Sequence, residues 1–501
     1  MRQVVLVALA LCCAEAALAQ GIDTRVTFTF ADDDVLHGPD TPSGSTPSPT
    51  LPSFTPTSAN RLFYDDYERR DNGLENLSHL VLFGHKPGFF AGLDTEAALV
   101  LRAEFLASID MTLRDDGSYV RLIEHLGADT LSLTAFPLNA RRFALGYSYN
   151  LIWGGDGIFK SATSPGIKVE WDTDGAYAFV GAKTGQAEQR HADGTLELDT
   201  VWGALGGAGV DVTETLRIEG GAGFFRRGII DRPELEVPNG QGRLTLAPWQ
   251  AFGGSAQVTY HVGAPIGVPI DFELYRNDPL EREVFFKLEE YPGGVSLMVQ
   301  SELNWVAQTL QDFDRAASSV IQQGRSADLV VKVKVDRARF FALGVYRDLA
   351  YVTLNIPSYP PFVSFPRGIK AMPEAFVSLG ADYALEGWHV TPGFSLGAKM
   401  PAYLTSRLNA GSTPADGAQT MVFRSVSDIA LLNPGDKVAL ILAGKVTLRW
   451  DLSEMLAFAG ELQASYDRNR RVLAQDPTGV STRQRTDPKI FGFCTLLQAR
   501  L

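Results

Sequence analysis

A chain of 501 residues with 45% apolar residues, 21% charged residues and a mean hydropathy of -0.02 cannot supply a bundle of membrane-spanning helices. Each such helix needs about 20 consecutive apolar residues, whereas a transmembrane β-barrel needs an apolar residue only at every second position, so this composition permits one. The net charge of -13 excludes a nucleic-acid partner, because phosphate binding needs a basic surface.

The N-terminus has the three parts of a secretory signal peptide. Arg2 provides a positive charge, residues 4–13 are uniformly apolar, and Ala-Leu-Ala at 17–19 has the small-x-small pattern of a cleavage site. The apolar stretch is too short to cross a bilayer. We therefore predict a signal peptide over residues 1–19, cleaved near Ala19.

The mature chain, residues 20–501, then begins with an alternating stretch. Residues 22–30 predict a first strand, and residues 31–73 predict a long loop rich in Pro, Ser and Thr, since such a composition cannot build a core. An alternative is that residues 20–60 form a periplasmic tail and that a barrel begins near Leu74. The period-2 alternation in the first stretch favours the strand.

The clearest structural signal is a hairpin between Val438 and Tyr466. On each side of a turn at residues 451–454, apolar residues alternate with small or polar ones over more than ten positions. Strands of that length match the 9–11 or more residues that a tilted strand needs to cross a bilayer. The outward stripe of the hairpin consists of Val438, Leu440, Leu442, Val446, Leu448, Trp450, Leu456, Phe458, Leu462 and Tyr466.

The same alternation recurs along the mature chain and predicts an all-β protein, a single antiparallel up-and-down transmembrane β-barrel of about 18–20 strands. Short and long connections alternate, which predicts short periplasmic turns, long extracellular loops and both termini in the periplasm. The predicted strands are 22–30, 74–85, 94–110, 118–136, 142–152, 166–172, 176–184, 197–212, 215–225, 249–262, 268–276, 283–290, 294–306, 327–335, 339–354, 371–385, 388–399, 437–450, 456–467 and 489–501.

The last eleven residues, from Phe491 to Leu501, resemble the C-terminal β-signal of bacterial outer-membrane proteins. Alternate residues there are apolar or small, with Phe491, Phe493, Leu497 and Leu501 on the face that would meet lipid. Family members usually end in an aromatic residue, whereas this chain ends in Leu501. The resemblance implies a porin-like outer-membrane barrel that is similar in style to myxobacterial envelope barrels, without identifying a subfamily.

No catalytic or metal-binding constellation is visible in the sequence. The seven histidines are scattered without metal-ligand spacing, so we expect no enzyme, metal site or cofactor. The glycine-rich runs at 206–209 and 220–223 superficially resemble phosphate loops, but they lie inside predicted strands with no following helix. Close packing of these strands against an inner loop, or bending around the barrel, explains the glycines better.

The period-2 pattern assigns side chains to the two faces of the barrel wall. Tyr and Trp near strand ends suit the membrane–water boundary, and charged residues on the opposite face suit the lumen. The candidate lumen-facing charges are Glu96, Arg102, Glu104, Lys183, Lys332, Lys334, Arg449 and Glu461. The candidate membrane-boundary aromatics are Tyr147, Tyr149, Trp153, Trp388, Trp450 and Tyr466.

Two functions remain open at this point. A large barrel with a polar interior favours a passive channel for small polar solutes. The long loops and the Pro-rich segment instead suit a structural or export component of a multi-protein envelope machine, such as polysaccharide export, secretion or gliding motility. The expected partners are outer-membrane lipid and lipopolysaccharide, the barrel-assembly machinery, and possible periplasmic or surface proteins. A receptor with a plug domain and 22 strands would need a longer chain.

Overall fold

The structure is a computed structural model of the chain, and it describes most of the region after the N-terminal segment. The described residues are 22–32, 74–90, 92–105, 111–115, 117–136, 143–147, 151, 153–154, 165–190, 195–228, 249–264, 294–315, 318–354, 364–406, 419–424, 429–433, 435–453, 455–475, 481–485 and 487–500. The predicted signal peptide, the loop that follows the first strand, and the predicted strands 268–276 and 283–290 lie outside these residues.

Nearly all of the described residues that have regular secondary structure are in β-strands. The strands are β1 (Ile22–Asp32), β2 (Leu74–Phe90), β3 (Leu93–Phe105), β4 (Met111–Asp115), β5 (Tyr119–Leu126), β6 (Asp129–Phe136), β7 (Ala144–Leu145), β8 (Trp153–Gly154), β9 (Gly166–Thr173), β10 (Ala176–Arg190), β11 (Leu196–Thr213), β12 (Leu216–Gly228), β13 (Trp249–Val262), β14 (Val295–Gln311), β15 (Ser319–Val335), β16 (Ala338–Arg347), β17 (Lys370–Met372), β18 (Glu374–Tyr383), β19 (Val390–Met400), β20 (Ala402–Ser406), β21 (Gln419–Phe423), β22 (Ile429–Leu432), β23 (Ile441–Ser453), β24 (Leu456–Tyr466), β25 (Arg471–Gln475), β26 (Ser481–Arg485) and β27 (Lys489–Arg500). One α-helix, α1 (Leu349–Leu354), and one 3-10 turn, Glu386–Trp388, complete the set. Within the described part of the chain, no helix is long and apolar enough to cross a membrane.

The main sheet closes on itself into a barrel. Each long strand pairs antiparallel with the strands before and after it, and β1 pairs with both β2 and β27, which joins the two ends of the sheet. β4 and β5 both pair with β3, one above the other, so they count as one interrupted strand. The described residues thus form a closed barrel of 18 antiparallel strands, as the sequence predicted.

The two faces of the wall differ as the alternation predicted. On β23 and β24 the residues that point outward are exposed and apolar, and their immediate neighbours point inward. Strands such as β9, β14 and β19 repeat this arrangement, because the strand period of two fixes which side chains share a face, whereas β1 is buried on both faces from Thr24 to Thr27. Large exposed outward side chains include Leu99, Val180, Leu303, Val377, Leu379, Leu396, Leu442, Val446 and Leu462. The outer face is therefore an apolar surface suited to lipid.

Short turns join the strands at one end of the barrel, and longer connections join them at the other. The short-turn end contains, for example, residues 127–128, 174–175 and 214–215, and it also holds both termini of the barrel sheet. One connection at this end, residues 263–294, is long and was predicted to contain two further strands. In barrels of this class the short turns face the periplasm and the long loops face the cell exterior.

Several predicted strands differ from the observed ones; residues 371–385, for example, are divided between β17, which pairs with β20 outside the barrel, and β18. Residues 118–136 form a hairpin of two strands, β5 and β6, because Gly127 takes a positive φ of 75° and makes a tight turn. The described residues of the predicted strand 142–152, which are 143–147 and 151, form no barrel strand. Residues 339–354 are strand only to Arg347, after which Asp348 starts α1 by accepting a hydrogen bond from the backbone N–H of Tyr351 at 2.8 Å.

A second, smaller sheet lies at the long-loop end. It consists of β17, β20, β21 and β22, and we call it the cap sheet. One face packs on α1 through Leu349, Leu404 and Phe423. The other face forms a separate apolar cluster around Val422 and Leu432. Both faces are therefore covered within the chain.

The outward position of Leu462 gives a test of the membrane-facing surface. This side chain is 68% exposed near the middle of β24. Leu462→Arg should lower the free energy of unfolding in lipid vesicles by about 2–4 kcal/mol, since a charge at mid-membrane depth loses its hydration. Leu462→Ala, which shortens the side chain without adding a charge, should cost much less. Urea unfolding in vesicles measures both, and equal costs would contradict a lipid-facing position.

Candidate functional site: the lumen and the segment that crosses it

The inner face of the barrel is polar and ion-paired. Glu374 lies between Arg347 at 2.5 Å and Lys399 at 2.8 Å, on three adjacent strands. Nearer the short-turn end, Asp382 lies between Arg339 and Arg449 at 2.8 and 3.2 Å. These rows connect neighbouring strands across the inner wall from β16 to β23. Such paired charges set the local field along the inner wall.

The predicted lumen charges lie on two separate parts of this wall. Glu96 contacts Arg121 at 3.7 Å, and Lys183 lies over the ring of Phe136 at 5.8 Å, both on the side formed by β3 to β10. The second group is on β15, β23 and β24. It contains Lys332, Lys334, Arg449 beside Asp382, and Glu461, which is 3.5 Å from Lys445. For Arg102 and Glu104 the structure describes the backbone in β3 and not the side chains.

A row of hydrogen bonds runs along the wall between β10 and β14. The Tyr177 hydroxyl donates to Glu219 at 2.7 Å, and the Gln257 amide donates to the other oxygen of Glu219 at 2.6 Å. Gln300 in turn donates to Gln257 at 2.5 Å. Tyr177, Glu219 and Gln257 are buried in the lumen, and their partners satisfy the polar atoms that burial removes from water.

Part of the connection between β6 and β9 lies inside the barrel. The described residues 143–147, 151 and 153–154 have buried side chains at Phe143, Leu145, Tyr147, Leu151 and Trp153. We call these residues the crossing segment. They include the short strands β7 and β8, which pair with each other and with no barrel strand. This segment therefore occupies lumen space that the barrel would otherwise leave to water.

Aromatic packing holds the crossing segment against one side of the wall. The ring of Phe225, on β12, meets Phe143 at 5.6 Å and Trp153 at 5.2 Å, both edge to face. Phe136, at the end of β6, lies 6.2 Å from Phe143. Aromatic pairs at such distances contribute about 0.5–1.5 kcal/mol each beyond their burial. The near wall and the segment thus share one apolar cluster.

Leu151 reaches the opposite side of the lumen. It packs in a second cluster with Leu343, Val345, Phe376 and Ile441, which lie on β16, β18 and β23. The near-wall cluster includes residues of β2, β3, β5, β6 and β10 to β14. Because its members contact both sides, the segment spans the lumen rather than lining one wall.

Glu302 of β14 is the main polar anchor of the crossing segment. Its carboxylate accepts the backbone N–H of Tyr147, at 3.1 Å to each oxygen, and it also accepts the Ser255 hydroxyl and the Asn304 amide. Glu302 is fully buried, so these donors replace the water it has lost. Asn304 also donates to the carbonyl of Leu151 at 3.3 Å. Two points of the segment are therefore fixed by neighbouring residues of one strand.

Glycines on the inner face make room for the segment. A Cβ at Gly221 would lie 3.0 Å from Cδ1 of Leu145, and one at Gly253 would lie 2.9 Å from the ring of Trp153. At Gly203 the nearest atom would be in Phe225 at 2.7 Å, with Phe143 at 3.0 Å. Close approach of another part of the chain requires residues without a side chain. In the two predicted glycine runs, Gly221 packs against this inner segment, whereas Gly207 and Gly209 lie against the rings of Phe179 and Tyr177 on β10.

Two of the predicted membrane-boundary aromatics are wrong. Tyr147 and Trp153 are 3% and 1% exposed and lie in the lumen, because their alternating apolar stripe packs on the inner wall and not on lipid. Tyr149 lies outside the described residues. The sequence contained a signal that this stripe is part of a long connection and not a membrane-spanning strand. Within residues 137–165 the stripe lies between polar and glycine-rich stretches, with no tight turn on either side.

The other predicted outer residues point away from the lumen. Trp388 lies in the 3-10 turn at the short-turn end and is 75% exposed, while Trp450 and Tyr466 lie near opposite ends of the hairpin and face outward. On β27, Phe491, Phe493 and Leu497 share the outward face, and the Phe493 ring lies 5.3 Å from that of Phe30 on β1. Leu501 lies outside the described residues.

Sequence reasoning missed the residues that fix the crossing segment. Glu302, Asn304 and Tyr351 belong to no motif: the first two are polar residues among several in β14, and Tyr351 is one residue of a short helix. Only the three-dimensional arrangement brings them to one place. Among the described residues, no group of three or more His, Cys, Asp or Glu side chains is placed to hold a metal ion.

This fold and lumen define the class: a closed antiparallel β-barrel of 18 strands with an apolar outer face and a polar inner wall. The chain is similar to the Pseudomonas aeruginosa proteins OpdL, OccD1 (OprD) and OccK11 (OpdR), with identities of 9%, 7% and 8% and TM-scores of 0.40, 0.43 and 0.42. The similarity covers 96% of this chain in each case, and 97%, 96% and 95% of those chains. No family model and no curated protein sequence matches the chain.

Two adjacent glycines of β12 test the fit between wall and segment. Gly221 faces the lumen beneath Leu145, whereas a Cβ at Gly220 would meet only the Ser255 carbonyl oxygen, at 3.6 Å. Gly221→Val should displace the crossing segment and change the ion conductance of the barrel in a planar bilayer. Gly220→Val, on the outer face, should retain the conductance of the unmodified protein. The same conductance in both variants would contradict the observed seat of the segment.

Proposed function

We propose that this protein is a passive outer-membrane channel for small polar solutes. The observation that carries the proposal is a closed 18-stranded barrel whose inner wall is polar and whose lumen is crossed, in its described part, by a single anchored segment. Barrels of 16–18 strands enclose a water-filled lumen. The lipid-facing outer surface supports placement in a membrane, and the ion-paired wall supports a hydrated path through it.

The crossing segment supports a preference for small solutes. It spans the lumen between the wall at Phe225 and the wall at Phe376, so a solute has only the space beside it. Two hydrogen-bonded points and two apolar clusters hold it, which favours a narrow passage over a segment that moves aside freely. The conductance should accordingly be lower than that of an empty barrel with the same number of strands.

The outer surface of the barrel also supports a set of binding partners. The outward apolar band supports contact with outer-membrane lipid, and the long-loop end would meet lipopolysaccharide. The outward stripe on β27, with Phe491 and Leu497 in a strand that closes the barrel, supports recognition by the barrel-assembly machinery. An N-terminal signal peptide cleaved near Ala19 would deliver the chain to that machinery.

Conductance of the purified, refolded protein in a planar bilayer tests the proposal directly. The unmodified protein should give small discrete steps. Glu302→Ala should give larger or noisier steps, because it leaves the Tyr147 N–H without its acceptor and frees the segment at that point. Folded protein that inserts but gives no steps would overturn the channel function.

Charge selectivity gives a second measurement. Lys332 is on the lumen face of β15 and is exposed, whereas Lys370 is exposed on the cap sheet, away from the barrel wall. Lys332→Glu should shift the reversal potential in a salt gradient toward cation selectivity. Lys370→Glu should leave it nearly unchanged. The shift should fade near 1 M salt, where the Debye length falls to about 3 Å; a shift of equal size in both variants would count against a lumen position for Lys332.

A further inference from the structure

The short helix α1 contacts both the crossing segment and the cap sheet. From one side, the hydroxyl of buried Tyr351 donates to the carbonyl oxygen of Leu151 in the lumen. From the other side, Leu349 packs in the cluster that contains Leu404 and Phe423 of the cap sheet. Tyr351 and Leu349 are two residues apart in one helix of six residues. A displacement of either residue therefore displaces the other through the helix backbone.

The start of α1 is attached to the barrel wall. The Asp348 carboxylate accepts the backbone N–H of Tyr351 and that of Arg325 on β15, both at 2.8 Å. A Cβ at Gly324 would lie 2.8 Å from the Tyr351 nitrogen, so helix and strand are in direct contact. Partial burial raises the pKa of Asp348.

Packing, and not intrinsic helix stability, sets the position of α1. A helix of one and a half turns has almost no stability of its own in water. Its apolar contacts are Leu349 and Val352 toward the cap cluster and Tyr351 toward the lumen cluster. The orientation of the Tyr351 hydroxyl therefore depends on how well the cap cluster is filled.

The far tip of the crossing segment depends on the same helix. The Leu151 carbonyl accepts two hydrogen bonds, one from Asn304 on the wall and one from Tyr351 on α1. Without Tyr351 this end of the segment keeps one donor and its apolar contacts. It then has more freedom to move away from the wall formed by β16, β18 and β23.

We propose that α1 couples the cap sheet to the crossing segment, so that the packing of the cap at the long-loop end controls how far the lumen is closed. The proposal rests on the proposed channel function, because the measured property is conductance. It adds a regulatory element: a change at the outer end of the barrel is transmitted through Leu349 and Tyr351 to Leu151.

Two leucines of the cap sheet form a matched pair for the test. Leu404 and Leu432 are both fully buried, at 1% and 0% exposure, but Leu404 packs on Leu349 whereas Leu432 lies in the cluster on the opposite face, which contains no residue of α1. Alanine at either position removes the same atoms from the same sheet. Only Leu404→Ala loosens the seat of α1.

Single-channel recording in a planar bilayer measures the outcome. The protein used is first shown to be folded by its migration in an SDS gel without boiling. Leu404→Ala and Tyr351→Phe should each raise the mean conductance and its fluctuations. Leu432→Ala and the volume-conserving Leu404→Met should match the unmodified protein. The double variant Tyr351→Phe, Leu404→Ala should change conductance less than the sum of the single changes, because both act through one helix.

The outcomes separate the two proposals. An unmodified protein without conductance overturns the channel function. A conducting protein in which Leu404→Ala and Leu432→Ala behave alike, or in which Tyr351→Phe leaves conductance unchanged, overturns the coupling and leaves the channel function intact.

Discussion

The pairing of β1 with β27 is the constraint on which the rest of the structure depends. In a bilayer every backbone N–H and C=O group must find a partner within the protein, and an open sheet edge leaves a row of them unpaired. Pairing from Arg25 opposite Arg500 to Asp32 opposite Phe493 removes both edges at once. At this seam the Arg500 guanidinium lies 3.2 Å from the Asp23 carboxylate. Closure also fixes which residues face inward, since a slip of one residue would turn every side chain of a strand to the other face.

A closed barrel of this size has no core of its own, and here the wall and the crossing segment supply one together. Strands β11 to β13 are rich in glycine on their inner face, which gives these strands little side-chain contact of their own. The segment contributes Leu145 and Trp153, which fill the space that the glycines leave. The wall and the segment are complementary in shape. Larger wall residues would exclude the segment, and without the segment the wall would have few packing contacts. The crossing segment is therefore part of the packed interior of the barrel.

The sequence predicted the barrel well because the governing signal is local. Alternation over ten or more residues, as between Val438 and Tyr466, follows directly from one lipid-facing and one lumen-facing side. The same signal failed between residues 142 and 152, since an apolar stripe packed inside the lumen has the same period as one facing lipid. Periodicity reports that one face is apolar and does not report which medium covers it. The glycines beneath the segment were independent evidence for a part of the chain inside the lumen, because close packing against a strand requires glycine in that strand.

The anchors could not be predicted for a different reason. Glu302 and Tyr351 reach the crossing segment from positions 155 and 200 residues away in the chain from Tyr147 and Leu151, respectively. Within its own strand a lumen-facing glutamate looks the same whether it meets water or a backbone N–H. Only the closed geometry decides between the two, and the absence of a motif follows from that.

The lumen contains apolar and charged zones in series. The apolar clusters around Leu151 and Phe225 lie at the level of the crossing segment. The charged row with Arg339, Asp382 and Arg449 lies closer to the short turns, since Arg339 and Asp382 are each one residue from the strand end there. A second charged row, Arg347–Glu374–Lys399, lies on the long-loop side of Phe376, since Glu374 is the first residue of β18 and Arg347 is the last residue of β16. The apolar cluster around Leu151 therefore lies between two charged rows. In the proposed channel a solute would meet charged groups on both sides of the level at which the crossing segment restricts its size.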